Sequence, residues 1–163
     1  MHFFNHPEMY ENAFQPFAKS TDILIAAAYW DPKAPILFST EEMKQDDFRI
    51  SVISDITCDI EGSIPSTKRA STIDDPFYDY NPETGEPETA FSSEENITIQ
   101  AVDNLPCELP KDASLDFGRN LIDKVFPGLF VEDVDGIIDR ASITKDGKLT
   151  QRFAYLQGFA EGK

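Results

Sequence analysis

The run Ile23-Leu24-Ile25-Ala26-Ala27-Ala28 constrains this chain more than any other feature. A short, uninterrupted apolar stretch bounded by breakers is the pattern of a strand covered on both faces, as in a parallel sheet. Asp31-Pro32-Lys33-Ala34-Pro35 supplies the break. A second buried strand fits Phe48 to Ile56, ending in the polar loop Thr57-Cys58-Asp59-Ile60-Glu61-Gly62. Helical signals precede both. From Pro7 to Lys19, the residues Met9, Tyr10, Ala13, Phe14 and Phe17 recur at spacings of three and four, with Pro16 ending or bending the helix. Ser39 and Glu42 have the spacing of a capping box. Helix, strand, helix, strand implies an α/β fold. Ligands of open α/β sheets sit beyond the carboxyl ends of the strands, which directs attention to the Ala28–Trp30 turn and the Asp55–Gly62 loop.

Further along, Pro76 to Asn96 is rich in Pro, Gly, Asp, Glu, Ser and Thr and reads as an exposed loop or hairpin, its tip near Pro82 to Pro87. Ile97 to Val102 reads as another strand. Lys111 to Phe126 carries Leu115, Gly118, Leu121, Ile122, Val125 and Phe126 at helical spacing, opened by Asp112 or Ser114 and stopped by Pro127-Gly128. A turn at Lys145-Asp146-Gly147 and a terminal helix bearing Leu149, Phe153, Leu156 and Phe159 complete the reading. These elements group as residues 1–108, containing the sheet and an exposed loop at about 79–96, and a helical segment over 109–163.

Charge narrows the partners. The 163 residues hold 14 Lys+Arg against 30 Asp+Glu, a formal net charge of −16, so the basic footprint of a nucleic-acid binder is missing. A hydrophobic share of 40% with 12% aromatics excludes a wholly disordered acidic chain. The longest apolar run, Ile23 to Trp30, falls far short of the ~20 residues of a spanning helix. No membrane association and a cytoplasmic location are therefore expected. Cys58 and Cys107 lie in no metal-ligand or Cys-x-x-Cys spacing and read as reduced thiols, so no metal is expected.

Asp55 and Asp59 flank the end of the second strand, where a carboxylate can receive a hydroxyl, an ammonium or a proton, or can cap a turn. Cys58 reads as a structural thiol rather than a nucleophile, because His2 and His6 both lie at the amino terminus. Lys68-Arg69 could hold an anion; local ion pairs with Glu61, Asp74 or Asp75 are the preferred reading. Asp103-Asn104-Leu105-Pro106 follows the third strand, where Asn104 could bond a ligand or form an Asx turn. Neither Gly-x-Gly-x-x-Gly nor Gly-x-x-x-x-Gly-Lys-Ser/Thr occurs, so no complete phosphate cradle can be named.

Three motifs in order carry a family resemblance. They are Thr21 to Trp30 with Lys33-Ala34-Pro35, then Val52 to Ser63 followed by Thr72-Ile73-Asp74-Asp75-Pro76-Phe77-Tyr78, then Val102-Asp103-Asn104-Leu105-Pro106 with its following helix. Together they resemble the saccharopine dehydrogenase and lysine-2-oxoglutarate reductase group, relatives of alanine dehydrogenase and the membrane transhydrogenases. The resemblance covers about residues 3 to 130. It implies a partial Rossmann-like parallel sheet, the second half of a dinucleotide-binding domain, followed by a carboxyl-terminal return segment toward a substrate domain. It also implies NAD or NADP as cofactor and an amino-acid substrate of the lysine or saccharopine type. By the same resemblance Ala28 and Tyr29 border the cofactor, Cys58, Asp59, Ile60 and Glu61 lie by the nicotinamide, and Val102, Asp103, Asn104 and Leu105 close over it. Asp59 would be the catalytic carboxylate facing the reacting carbon.

The family's amino-terminal substrate domain, with its catalytic Lys and His, has no counterpart here, and neither has its Gly-rich turn. His2 and His6 do not replace that His, since they precede the dinucleotide segment. The isolated chain is accordingly expected to be inactive, to self-associate as a homo-oligomer, and to need the missing amino-terminal half or a complementary subunit. Two alternatives stand beside this reading: an alanine dehydrogenase-like enzyme, and a non-catalytic interaction module left from such an enzyme.

Overall fold

The computed structural model describes residues 2–162 and divides after Glu108 into two compact units. The first is built on a five-stranded sheet of β1 (Ile23–Ala26), β2 (Val52–Asp55), β3 (Phe77–Tyr80), β4 (Pro87–Glu88) and β5 (Ile97–Gln100). Their order is β1-β2-β5-β3-β4. The β1–β2 and β2–β5 pairs are parallel, while β3 is antiparallel to both β5 and β4. The fold is thus mixed α/β, with a sheet parallel on one side and closed by a hairpin on the other. This arrangement is compatible with part of a Rossmann-like sheet.

One row explains the core. Leu24, Ile53, Ile99 and Tyr78 are register partners across four strands, so their side chains share a face. Ile53, Ile99 and Tyr78 are fully buried there, together with Tyr80, Phe38, Ile50 and Ile64. The opposite face carries Val52, Ser54, Thr98 and Gln100, with the Ser54 hydroxyl donating to Gln100 Oε1 at 2.7 Å. On that face Ile23 and Ile25 of β1 are 62% and 65% exposed, which corrects the expectation of a strand covered on both sides. An apolar run records that a strand can be buried; burial itself needs a second layer, and β1 is the sheet's edge.

Proline decides where the amino-terminal segment turns. No continuous helix spans Pro7 to Lys19: α1 (His2–Asn5) is followed by a 3₁₀ turn at Pro7–Met9, and α2 occupies Gln15–Ala18. Pro16 sits in the first turn of α2, so it starts this helix rather than ending a longer one, as its preset φ and missing N–H favour. The Ser39–Glu42 box is formed in both directions. The Ser39 N–H donates to the Glu42 carboxylate at 2.7 Å and the Glu42 N–H donates to Ser39 Oγ at 3.2 Å, opening the 3₁₀ turn Glu42–Lys44. The hairpin around Pro82 begins in a buried strand, since Tyr78, Asp79 and Tyr80 of β3 are inaccessible; Pro82 is buried too, and exposure begins at Glu83.

The second unit comprises α3 (Pro110–Asn120), a π-helical turn (Leu121–Val125), α4 (Phe126–Phe130), α5 (Ile137–Ala141), the hairpin β6 (Thr144–Lys145) and β7 (Lys148–Leu149), and α6 (Gln157–Ala160) behind a 3₁₀ segment, Gln151–Leu156. Pro110, ahead of Asp112 and Ser114, opens α3, and Pro127 lies in the first turn of α4 instead of stopping the preceding helix. The terminal helix is interrupted near Phe153. Asp146 and Gly147, at φ 50° and 75°, make the tight left-handed turn that a two-residue hairpin requires. None of the described residues of this unit is buried, so the apolar spacing of α3 encloses no core within the unit.

Asp79 ties the hairpin to the sheet. Its carboxylate accepts the Ser92 N–H at 2.8 Å, the Ser92 hydroxyl at 3.2 Å and the Thr98 hydroxyl at 2.9 Å. Burial opposes its ionisation but is outweighed by the Phe91 and Ser92 amides and the Thr98 and Ser92 hydroxyls, which hold the carboxyl below its ordinary range. Its contribution to stability is therefore full above the ordinary aspartate value of about 3.9 and is lost as pH falls through the lower folded-state value. Asp79→Ala strands several donors and should cost on the order of 3 kcal/mol in urea unfolding at neutral pH. The deficit relative to wild type should shrink on acidification; a deficit that stays constant with pH would contradict this assignment.

Candidate functional site

Because β1, β2 and β5 are parallel and in register, Ala26, Asp55 and Gln100 end their strands at one edge of the sheet. Three loops leave from that edge: Ala27–Trp30, Ile56–Gly62 and Ala101–Leu105. The first two wall an open depression of about 720 Å³, with Tyr29 and Trp30 on one side and Ile56, Asp59 and Ile60 on the other. The Trp30 indole donates to Pro35 O at 3.3 Å, which pins that ring to its own loop. Asp59 is exposed on the opposite wall.

The turn that presents Asp59 is tight. The Gly62 N–H donates to Asp59 O at 2.9 Å, and a Cβ at Gly62 would stand 2.6 Å from the Cβ of Asp59. Only glycine fits so close an approach. Asp55 does not share the surface position of Asp59: it is 1% exposed and accepts hydrogen bonds from Thr57 and Thr67. The two aspartates, equivalent in the sequence, thus separate into one buried and one accessible carboxylate.

The remaining candidates divide. Tyr29, Asp59 and Ile60 line the depression, while Ala28 borders, with Tyr29, an adjoining apolar groove of about 620 Å³ along β1. Cys58 turns inward, its thiol donating to Asp55 O at 3.3 Å and packing against the core. Glu61 is taken by Lys68, Nζ to Oε1 at 2.5 Å, and Arg69 by Asp75 at 3.2 Å, so the basic pair is engaged in local ion pairs. Hydrogen bonding to Lys68 holds the Glu61 carboxyl below its usual value, and the same bond raises the Lys68 ammonium. Val102 is buried and bridges Ser71. Asp103, Asn104 and Leu105 do not line the depression, although the charge of Asp103, like that of Asp59, reaches Cys58. Among the described residues no cluster of His, Cys, Asp and Glu could hold a metal ion.

The wall residues Ile56 and Thr57 lie in the Asp55–Gly62 loop to which the sequence directs attention, but neither they nor Thr67, the partner of Asp55, is singled out there as a site residue. Ile56 and Thr57 directly follow a strand's carboxyl end, a signal that was available. Thr67 carried none, because its contact spans twelve residues of loop.

Over 94% of its length the chain is 32% identical to an alpha-aminoadipic semialdehyde synthase from Arabidopsis thaliana. Its homologues bear that name. In Mus musculus and Rattus norvegicus the mitochondrial alpha-aminoadipic semialdehyde synthases are each 25% identical over 97% of this chain. The chain spans 15% of the Arabidopsis relative and 20% of the rodent ones. No family model matches it.

Two outcomes follow from the geometry. Gly62→Ala must displace the Asp59 backbone and should cost about 1–3 kcal/mol, with amide shifts concentrated in residues 57–63; an unshifted loop would contradict the close approach. Burial, then the charges of Asp55, Asp103 and Asp59, push the Cys58 thiol above its ordinary value. Iodoacetamide at neutral pH should therefore modify exposed Cys107 well before Cys58, with Cys58 catching up as pH rises through its elevated value. Faster labelling of Cys58 would reverse the assignment.

Proposed function

We propose that the chain is the carboxyl-terminal portion of an NAD(P)-dependent oxidoreductase of the saccharopine dehydrogenase and lysine-2-oxoglutarate reductase type. Its homologues' name is that of a lysine-degrading enzyme of this kind. One structural observation carries the reading. Two of the three segments that the resemblance puts beside the nicotinamide, around Tyr29 and Asp59, meet at one depression, and the third leaves the same sheet edge.

The residues present fit the nicotinamide end of such a cofactor. The depression is within the ~300–1,000 Å³ of small-molecule sites and combines aromatic and aliphatic walls with a single accessible carboxylate. When bound, the cofactor would supply hydride transfer at the carbon–nitrogen bond of the substrate. Tyr29, Trp30 and Ile60 would exclude water from the ring. Asp59 would orient the reacting amine or relay its proton through an accessible carboxylate oxygen. The pyrophosphate needs residues from elsewhere, since this sequence carries no Gly-x-Gly-x-x-Gly turn.

A second reading, a non-catalytic interaction module, is favoured by the exposed Ile23 and Ile25 and by the absence of a buried residue in the described part of the second unit. Calorimetry separates the two. A reduced nicotinamide dinucleotide titrated into the chain mixed with its amino-terminal complement should bind, and in that assembly Asp59→Asn should lower turnover by about 100-fold with an unchanged unfolding midpoint. Absence of binding in the mixture would favour the module, and equal loss of turnover and stability would make Asp59 structural.

A further inference from the structure

Asp55 is a buried carboxylate that the proposed chemistry does not use. Its two oxygens face the two ends of one loop. Oδ1 accepts the Thr57 N–H at 3.1 Å and the Thr57 hydroxyl at 2.6 Å, while Oδ2 accepts the Thr67 hydroxyl at 2.6 Å. The Thr67 carbonyl in turn accepts the Glu61 N–H at 2.9 Å. Between these anchors Cys58 and Glu61 adopt φ values of 55° and 52°, a left-handed region that side chains with a Cβ rarely occupy. Backbone of this kind persists only where its surroundings over-determine it.

We propose that Asp55 is the positioning residue of the site, bridging Thr57 and Thr67 so that the loop between them keeps Asp59 on the wall of the depression. Being 1% exposed, Asp55 acts through this loop and not by touching a ligand. A carboxylate suits the task because it accepts from three donors at once, with charge-assisted hydroxyl bonds roughly twice as strong as neutral ones. Asparagine would turn a donor toward one of the threonine hydroxyls. The inference rests on reading Asp59 as the carboxylate of a nicotinamide site, but its first readout does not depend on that reading.

The test uses the whole chain with Asp55→Asn and, because that variant could fail to fold, the nearly isosteric Thr67→Val beside the hydroxyl-retaining Thr67→Ser. Amide exchange and the carboxyl ¹³C resonance of Asp59 are followed by NMR, and nicotinamide mononucleotide is titrated into each variant. In Thr67→Val the hydrogen-bonded loop amides, those of Glu61 and Gly62, should exchange about tenfold faster, the loss expected for one buried hydrogen bond, while those of Ile53 and Ile99 hold. The Asp59 resonance should move and mononucleotide affinity should fall about tenfold. Thr67→Ser should restore all three. Unchanged loop exchange with an unmoved Asp59 resonance would overturn the inference, as would equal acceleration at Ile53 and Ile99, or a loosened loop with full mononucleotide affinity. Wild-type chain that binds no mononucleotide, with the exchange pattern as expected, would support the clamp and count against the nicotinamide reading alone.

Discussion

The register of β1, β2 and β5 is the constraint on which the first unit depends. With Leu24, Ile53 and Ile99 aligned across parallel strands, the apolar side chains of one face form a continuous layer. A one-residue slip of β2 would turn Ile53 and Asp55 outward and bring Val52 and Ser54 into the core. The same register brings the three strand ends level, so loops distant in sequence leave from one edge. The position of the candidate site is thus a consequence of how the core packs.

Polar contacts then fix what the sheet alone leaves free. Parallel strands need long connections, and here these contain little helix: the β1–β2 connection is anchored by the Ser39–Glu42 box, and the first part of the β2–β5 connection, ahead of β3, by Asp55, Lys68–Glu61 and Arg69–Asp75. Asp79 performs the corresponding role at the hairpin. Buried carboxylates surrounded by hydroxyls and amides recur because irregular backbone must satisfy its donors without a ladder.

Features encoded by local chemistry were legible in the sequence. The Ser39–Glu42 box, the Asp146-Gly147 turn and the ion pairs of Lys68 and Arg69 each depend on neighbours within a few residues, and each is formed. What the sequence did not reveal depends on a layer or a distant partner. Ile23 and Ile25 are apolar yet exposed, and the helical spacing through Leu115 and Ile122 encloses no core, because periodicity names a face without naming what covers it. Spacing makes Pro16 an end or bend and Pro127 a stop, yet both lie in a first helical turn, to which proline is equally suited. The separation of Asp55 from Asp59 required Thr67, which no spacing rule connects to them.

On the function proposed above, the loops at the carboxyl ends of β1 and β2 would form one binding surface for the nicotinamide end of a cofactor. The most direct measurement is an amide chemical-shift map of the ¹⁵N-labelled chain titrated with nicotinamide mononucleotide. Saturable shifts confined to residues 27–30 and 56–62, with smaller ones at 101–105, are expected. Shifts centred on the hairpin of β3 and β4 or on the second unit, or no shifts at saturating mononucleotide, would contradict that proposal.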